Sequence, residues 1–196
     1  MQFRTQISGK YSPDNLGPFA FKQVLKQAGL SISFPVGDTI LEYEEEFAIT
    51  VPQERRVPFH LTEEEFYRSI GENHLQIVYN LYGPLEGYVG ESTLVETAYA
   101  LARNKPIILL RDPFYGDRTS RTLVDIVEEN KPRIFVYALD KLNHAELQVF
   151  IKEVMAQPID YALPGEVVTL IRYEMIILTE KYREAWGRYT SASRER

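Results

Sequence analysis

Residues 75–110 read LQIVYNLYGPLEGYVGESTLVETAYALARNKPIILL, and this stretch decides the fold class. Residues 75–79 form a short apolar run with branched and aromatic side chains, which is typical of a strand buried on both faces. A glycine-containing loop and a helical pattern follow, and the Asn-Lys-Pro sequence at 104–106 ends the helix because proline cannot continue one. Residues 107–110 predict a second buried strand. The stretch is therefore a βαβ unit whose loop lies at the carboxyl edge of a parallel sheet, where such sheets bind ligands.

The helix of this unit is predicted to begin at Ser92 or Thr93. Its apolar face, read from helical spacing, is predicted to hold Leu94, Ala98 and Leu101. With that start, Glu96 lies in the first helical turn and at the ligand-binding edge of the sheet. This glutamate is the main candidate for chemistry.

The rest of the chain continues the alternation of strands and helices. Strands are predicted at residues 2–8, 30–35 and 134–139, and helices at residues 18–27, 63–70, 123–129, 143–156 and 166–186. The helix at 63–70 is predicted from the capping-box sequence Thr62-Glu63-Glu64-Glu65. Residues 37–61 predict one or two short strands outside the sheet. The order indicates a single α/β domain over residues 1–196, a doubly wound, flavodoxin-like, five-stranded parallel sheet with helices on both faces, ending in a frayed tail at 186–196.

The helical pattern at 166–186 is apolar on two sides. A helix of this kind is usually buried, and a terminal one is often buried by another subunit. The sequence therefore predicts a homo-oligomer, a dimer or larger, formed through this helix.

Composition excludes several classes of function. The net charge of −6 and the pI of about 5.2 argue against nucleic acid as a partner, because binding to phosphate backbones depends on clustered Lys and Arg. The chain has no cysteine, and its three histidines lack ligand spacing, so we expect no metal. No Walker or dinucleotide fingerprint occurs, so we expect no cofactor. Without a signal peptide or an apolar stretch of membrane-spanning length, we expect a cytoplasmic protein with no membrane partner.

Two interpretations of Glu96 remain open at this point. The spelling Thr93-x-x-Glu96 is itself a capping box, and a carboxylate in a first turn complements the helix dipole. Alternatively, the carboxylate faces a glycine-lined pocket and acts as a nucleophile or general base. The loop favours the second interpretation, because a simple cap does not require three glycines and Tyr88 just upstream.

Parts of this region resemble a known family. Tyr79-Asn80, the segment GYVGESTLVETAYA at 87–100 and the segment NKPI at 104–107 are similar to the nucleoside 2-deoxyribosyltransferases and their relatives, the 2′-deoxynucleoside 5′-phosphate N-hydrolases. The loop Ile7-Ser8-Gly9-Lys10-Tyr11 occupies the place of that family's substrate-binding loop. The resemblance implies cleavage or transfer of an N-glycosidic bond in a nucleoside or nucleotide.

The resemblance also implies residue roles. Glu96 would attack the anomeric carbon and form a glycosyl-enzyme intermediate, Tyr11 would orient the nucleophile or stack on the base, and Ser92 would bind the sugar or a 5′-phosphate. An anion site at Ser92 has independent support, because the N–H groups at a helix start are free to bind anions. The substrate-binding residues would then be Ser8, Gly9, Asn80, Gly87, Gly90, Ser92 and Asp112.

Two positions depart from the family. Gly90 stands six residues before Glu96, where the transferases have an aspartate, and Asn80 stands near the place of a second family aspartate. Asn80 cannot act as an acid at neutral pH. Candidate donors of a proton to the leaving base are Glu86, Glu91, Asp112 and Asp117.

Three functions therefore compete. The first is an N-glycosidase or deoxyribosyltransferase-like enzyme that uses Glu96. The second is a non-catalytic sensor that binds a nucleotide in the same pocket, which the two departures favour. The third is an interaction protein with a vestigial pocket, which would suit the apolar terminal helix.

Overall fold

The computed structural model describes residues 2–37, 40, 42–44, 47–49, 59–82, 85–113, 121, 125, 129, 133–157, 180 and 184. The strands are β1 (Arg4–Gly9), β2 (Ser31–Ile32), β3 (Glu42–Glu44), β4 (Phe47–Ile49), β5 (Leu75–Tyr79), β6 (Leu81–Tyr82), β7 (Leu85–Glu86), β8 (Ile107–Leu109) and β9 (Ile134–Val136). The helices are α1 (Gly17–Gln27), α2 (Phe59–Glu72), α3 (Glu91–Ala102) and α4 (His144–Ala156), with a 3₁₀ turn at Leu139–Lys141.

A five-stranded sheet forms the centre of the fold. Its order is β2-β1-β5-β8-β9, and every neighbouring pair is parallel. Numbered along the chain, these strands run 2-1-3-4-5, which is the flavodoxin-like order with a switch point between β1 and β5. The prediction of a doubly wound, five-stranded parallel α/β fold is confirmed. Two short antiparallel hairpins, β3–β4 and β6–β7, lie outside the sheet, and the first confirms the strands predicted within 37–61.

Helices cover both faces of the sheet because strand residues alternate between the faces. On β8, Ile108 packs with α1 and α4, whereas Ile107 and Leu109 pack with α2 and α3. The first core includes Ile7, Phe21, Leu25, Ile77, Leu147 and Ile151. The second core includes Tyr67, Ile70, Val78, Ala100 and Leu101. The apolar faces of α1 and α4 therefore pack on the sheet.

The second face also carries buried amides and hydroxyls. Asn73, just after α2, donates from Nδ2 to Gln6 Oε1 at 3.1 Å and to Ser33 Oγ at 2.9 Å, and Ser69 Oγ donates to Ser33 Oγ at 2.7 Å. These side chains come from β1, α2 and the segment after β2. Because buried polar groups are costly without partners, this network fixes how α2 sits on the sheet.

Two helix starts differ from prediction. Helix α2 begins at Phe59, so Thr62 lies inside the helix and the capping box predicted at Thr62 to Glu65 is wrong. Helix α3 begins at Glu91 with Gly90 as its N-cap, earlier than the predicted start at Ser92 or Thr93. Both starts were predicted from hydroxyl residues, but neither of these residues is the N-cap. At α3 the N-cap is Gly90, whose backbone is extended. The predicted helix at 166–186, the oligomer contact assigned to it and the tail at 186–196 lie outside the described residues, apart from residues 180 and 184.

Within the described part of the chain, no helix combines the length and the apolar character needed to cross a bilayer.

Candidate functional site

The site lies at the carboxyl edge of the sheet, beside the switch point. Strands β1 and β5 end there at Gly9 and Tyr79, which lie opposite each other in the ladder. The loop after β1 leads to α1, and the β6–β7 hairpin leads to α3. Since the two crossovers leave the sheet in opposite directions, a crevice opens between them.

Helix α3 buries a polar face. Its buried residues are Thr93, Glu96, Thr97, Ala100 and Leu101. Leu94 and Ala98, predicted to lie on the apolar face with Leu101, are half-buried, and Leu94 packs against the second core. The earlier helix start does not change the spacing, but the tertiary contacts favour the row of Thr93, Glu96 and Ala100. A helix that buries a glutamate while it leaves Leu94 half-exposed is not arranged for packing alone.

Glu96 is not the cap of its helix. Gly90, with φ −77° and ψ 167°, is the N-cap and carries no capping side chain, while Glu91 is the acidic residue of the first turn. Glu96 is therefore in the second turn rather than the first, and the capping-box interpretation of Thr93 and Glu96 is wrong. Thr93 instead accepts on its carbonyl a 2.7 Å hydrogen bond from Thr97 Oγ1 inside the helix. The side chain of Glu96 is only 6% exposed.

Tyr11 lies close enough to Glu96 to respond to its charge. Burial raises the pKa of the Tyr11 phenol well above its usual value, and the negative charge of Glu96 raises it further. The hydroxyl donates a 2.7 Å hydrogen bond to the carbonyl of Ile7, and the ring packs on Phe19 with centroids 5.3 Å apart. The phenol is therefore neutral and fixed. The charge of Glu96 therefore acts on Tyr11, the other residue that was predicted to be catalytic.

Two glycines allow the loop after β1 to approach β5. A Cβ on Gly9 would lie 2.5 Å from the carbonyl oxygen of Tyr79, and a Cβ on Gly17 would overlap the hydroxyl of the same tyrosine. Both contacts exclude a side chain without rearrangement. Gly9 thus acts by close approach, while the side chain of Ser8 is fully buried and accepts a 2.6 Å hydrogen bond from Gln76 Nε2.

An aromatic pair with a lysine lies beside this loop. The rings of Tyr82 and Tyr88 have centroids 5.9 Å apart at an interplanar angle of 45°. Lys10 Nζ lies 4.5 Å from the centroid of Tyr82 and 5.9 Å from that of Tyr88, within the range of cation–π attraction. The hydroxyl of Tyr82 reaches Asp14 Oδ2 at 3.4 Å, and Ser12 Oγ donates to the other oxygen of Asp14. The Ser12 hydrogen bond is the main reason that the pKa of Asp14 is lowered.

Arg111 ties three loops together at the same edge. Its guanidinium binds Asp140 through two hydrogen bonds of 2.8 and 3.0 Å and reaches Glu86 at 3.3 Å. Arg111 forms these ion pairs because the 3₁₀ turn after β9 brings Asp140 opposite the guanidinium. The Arg111 hydrogen bonds lower the pKa of Asp140. Asp112 is exposed.

Asn80 is engaged by the backbone. Its Nδ2 donates to the carbonyl of Arg111 at 2.8 Å and its Oδ1 accepts from the N–H of Arg111 at 3.0 Å. The side chain is 1% exposed and extends the pairing of β5 with β8 by one step. Asn80 therefore holds the floor of the crevice in place.

The other predicted binding residues lie around the start of α3. Gly87 is buried with φ +92°, a left-handed conformation that favours glycine, and its N–H donates to the carbonyl of Asn80 at 2.7 Å. Ser92 is half-buried in the first turn of α3. Asp117, a candidate proton donor, lies outside the described residues. Among the residues that are described, no three His, Cys, Asp or Glu side chains converge on a point that could hold a metal ion.

Sequence reasoning missed the Lys10, Tyr82 and Asp14 contacts and the partner of Arg111. The residues in these pairs lie 25 to 72 positions apart in the chain, so local spacing gives no sign of the contact. The signal that could have found them is position: each residue follows shortly after a strand that ends at the same sheet edge.

Comparisons with known proteins identify no family. No protein-family model matches the chain, and no curated protein matches it significantly. Among solved structures, the chain is similar to one described as the glycotransferase of kitacinnamycin, with a TM-score of 0.41 and 13% sequence identity. The similarity covers 97% of this chain and 43% of that chain, so this chain spans less than half of its length. A similarity this distant gives no ground for assigning an activity.

Proposed function

We propose that this protein cleaves the N-glycosidic bond of a nucleoside or nucleotide through nucleophilic attack by Glu96. The observation that carries the proposal is the buried polar face of α3, on which Glu96 is 6% exposed and its charge acts on the phenol of Tyr11. The sequence similarity of 79–80, 87–100 and 104–107 to nucleoside 2-deoxyribosyltransferases points to the same residue. Glu96 is not used as a helix cap, which removes its simplest structural role.

The surroundings of Glu96 suit attack on an anomeric carbon. A carboxylate can stabilise an oxocarbenium-like centre and then capture it as a glycosyl ester. A largely water-excluded position strengthens this electrostatic stabilisation. Tyr11 stays neutral beside the carboxylate, so the phenol adds no competing negative charge and forms a rigid wall of the crevice.

A nucleotide-binding sensor is the second candidate function. It is favoured by Asn80, because its amide is already hydrogen-bonded to the backbone of Arg111 and cannot act as an acid at neutral pH. In a sensor, the same crevice would bind a nucleotide without breaking it.

Glu96→Gln tests the proposal, because it removes the charge and keeps the shape. Base release from a panel of ribonucleosides, deoxyribonucleosides and their monophosphates is followed by chromatography. We expect release by the wild type and a loss of at least about 1000-fold in Glu96→Gln, since the nucleophile is an essential group. Glu153→Gln on the exposed face of α4 is the matched control and should retain full activity.

Melting temperatures of the same variants distinguish the candidate functions. Stabilisation of the wild type by a nucleotide, with no free base formed, supports the sensor and contradicts the enzyme. Neither stabilisation nor base release across the panel contradicts both and leaves the interaction protein.

A further inference from the structure

We infer that the Glu96 site takes N-glycosides whose base carries a positive charge, such as a pyridinium or an N-alkylated purinium riboside. The inference rests on the proposed function and names its substrate class. It follows from the aromatic pair Tyr82 and Tyr88 and from the way in which the nearby acids are held.

The charge of the base decides whether it needs a proton in order to leave. A neutral base leaves with an extra electron pair and needs a proton from an acid in the site. A base that is already cationic takes the same electron pair and leaves neutral, without any proton. The state of the acids at the edge therefore bears on which base can leave.

Two acidic residues at this edge, Asp14 and Asp140, accept hydrogen bonds that hold them as anions. Asp14 accepts from Ser12 Oγ and from Tyr82 Oη, and Asp140 accepts two hydrogen bonds from the Arg111 guanidinium. Hydrogen bonds donated to a carboxylate favour its charged form. The Tyr11 hydroxyl donates a hydrogen bond to the carbonyl of Ile7, so its proton is not directed at the base. These groups are poor proton donors.

The aromatic pair Tyr82 and Tyr88 suits the binding of a cation. The ammonium of Lys10 lies 4.5 Å from the centroid of Tyr82, so the face of this ring already attracts a cation inside the protein. A planar cationic base can bind the same rings by stacking and by cation–π attraction together. Lys10 has a flexible stem, and Asp14, whose pKa its charge helps to lower, can take the displaced ammonium.

The charged side chains around the crevice also favour a cationic ligand. Among the described residues of the loops at this edge and of the first two turns of α3, acidic side chains outnumber basic ones. The acidic residues are Asp14, Glu86, Glu91, Glu96, Asp112 and Asp140, and the basic residues are Lys10, Arg111 and Lys141. An excess of negative charge attracts cations and repels additional phosphate groups.

The reaction balances without an external acid. A carboxylate oxygen of Glu96 forms a bond to the anomeric carbon while the C–N bond breaks, and the electron pair of that bond neutralises the positive nitrogen. The base departs neutral. Water then hydrolyses the glycosyl ester, which gives the free sugar, restores the carboxylate and releases a proton to solvent.

Paired substrates test the inference. Nicotinamide riboside and 7-methylguanosine, the latter in mildly acidic buffer to keep its charge, are compared with guanosine, inosine and uridine. Because cationic nucleosides are intrinsically more labile, each rate is divided by that of Glu96→Gln. We expect this Glu96-dependent ratio to be at least about 100-fold larger for the cationic pair, with a proton released for each base.

The outcomes separate the two claims. Equal or larger ratios for the neutral nucleosides overturn the substrate class and leave the proposed function standing. An absence of Glu96-dependent release from either class overturns both. A preference for nucleoside monophosphates over both classes also overturns the cationic substrate.

Variants of the ring site give an independent readout. Tyr82→Leu should weaken the binding of the cationic nucleosides about tenfold, while Tyr82→Phe keeps it, because a phenyl face retains the attraction. Lys10→Met removes the competing cation and should tighten their binding several-fold without changing that of uridine. If Lys10→Met instead weakens the binding of all ligands, the lysine recognises an anionic group and the inference is overturned. Melting temperatures of these variants verify the fold.

Discussion

Burial gives Glu96 a character that its neighbours on α3 do not share. Glu91 is exposed in the first turn and complements the helix dipole, whereas Glu96 points inward and is 6% exposed. A carboxylate in such a position costs free energy unless it interacts with its surroundings. The chain buries this carboxylate at the carboxyl edge of the sheet, where parallel α/β sheets bind ligands and where reactive carboxylates are expected.

Gly9→Ala tests the closest backbone approach at the same edge. The added Cβ would lie 2.5 Å from the Tyr79 carbonyl oxygen, and because this neighbour is backbone it cannot turn aside. We expect a loss of about 1–3 kcal/mol in the free energy of unfolding, measured by urea denaturation.

Gly71→Ala is the matched control for that substitution. Its Cβ would lie 3.0 Å from the guanidinium of Arg103, the far end of a flexible side chain, and the position is helical. We expect a gain of about 0.5 kcal/mol, because alanine favours a helix over glycine. Equal effects of the two substitutions would contradict the role assigned to Gly9.

Among the elements, the edge loops depend on Arg111 for their arrangement. The guanidinium joins the end of β8 to the 3₁₀ turn after β9 and to the β6–β7 hairpin, while Asn80 pairs with the Arg111 backbone. Side-chain and backbone contacts of a single residue thus fix three loops around the crevice.

Asp140→Asn should loosen this arrangement. The bidentate ion pair with Arg111 is replaced by weaker neutral contacts, and we expect a loss of about 1 kcal/mol in unfolding free energy. A double-mutant cycle with Arg111→Gln measures the coupling between the two side chains. Additive effects of the two substitutions would show that the pair contributes nothing to stability.

Helix α4 begins with a capping box, which predicts an effect on stability. Asn143 caps it through Oδ1, which accepts from the N–H groups of Ala145 and Glu146, and Glu146 returns a hydrogen bond to the N–H of Asn143. Asn143→Ala should cost about 1 kcal/mol of unfolding free energy, and Asn143→Ser should recover most of it.

The elements differ in how far the sequence predicted them. The parallel strands and the apolar faces of α1 and α4 follow from hydrophobic periodicity, which acts within a few residues. The starts of α2 and α3 were misplaced because the hydroxyl residues Thr62 and Thr93 offered caps that the structure does not use. The burial of Glu96 was anticipated only as an alternative, and the Tyr82–Lys10 contact was not anticipated, because such contacts depend on how separate loops meet.

For the whole molecule, the shifted pKa values of Asp140 and Tyr11 predict how stability depends on pH. The pKa of Asp140 is lowered by Arg111, so its contribution is present above its unfolded value of about 4 and is lost as the pH falls through the folded value. The pKa of Tyr11 is raised by burial and by Glu96, so its contribution is present below about 10 and is lost as the pH rises.

We therefore expect the free energy of unfolding to be flat near neutral pH and to fall on both sides. Urea denaturation across a pH series measures it. Tyr11→Phe should flatten part of the alkaline fall, with a remainder from Tyr79, whose pKa is also raised by burial. An alkaline limb that Tyr11→Phe leaves unchanged would contradict the assignment.

The two glycines that flank the loop after β1 also decide how this molecule can be redesigned. Gly9 and Gly17 are both held against Tyr79, one on its carbonyl and the other on its hydroxyl, so the loop is anchored at each end to the same residue. Segments of equal length can therefore be grafted between these anchors while the sheet and α1 keep their places. New ligand preferences can be selected from libraries at the exposed loop positions Pro13, Asp14 and Leu16, whereas Ser12 and Asn15 are buried and should be kept.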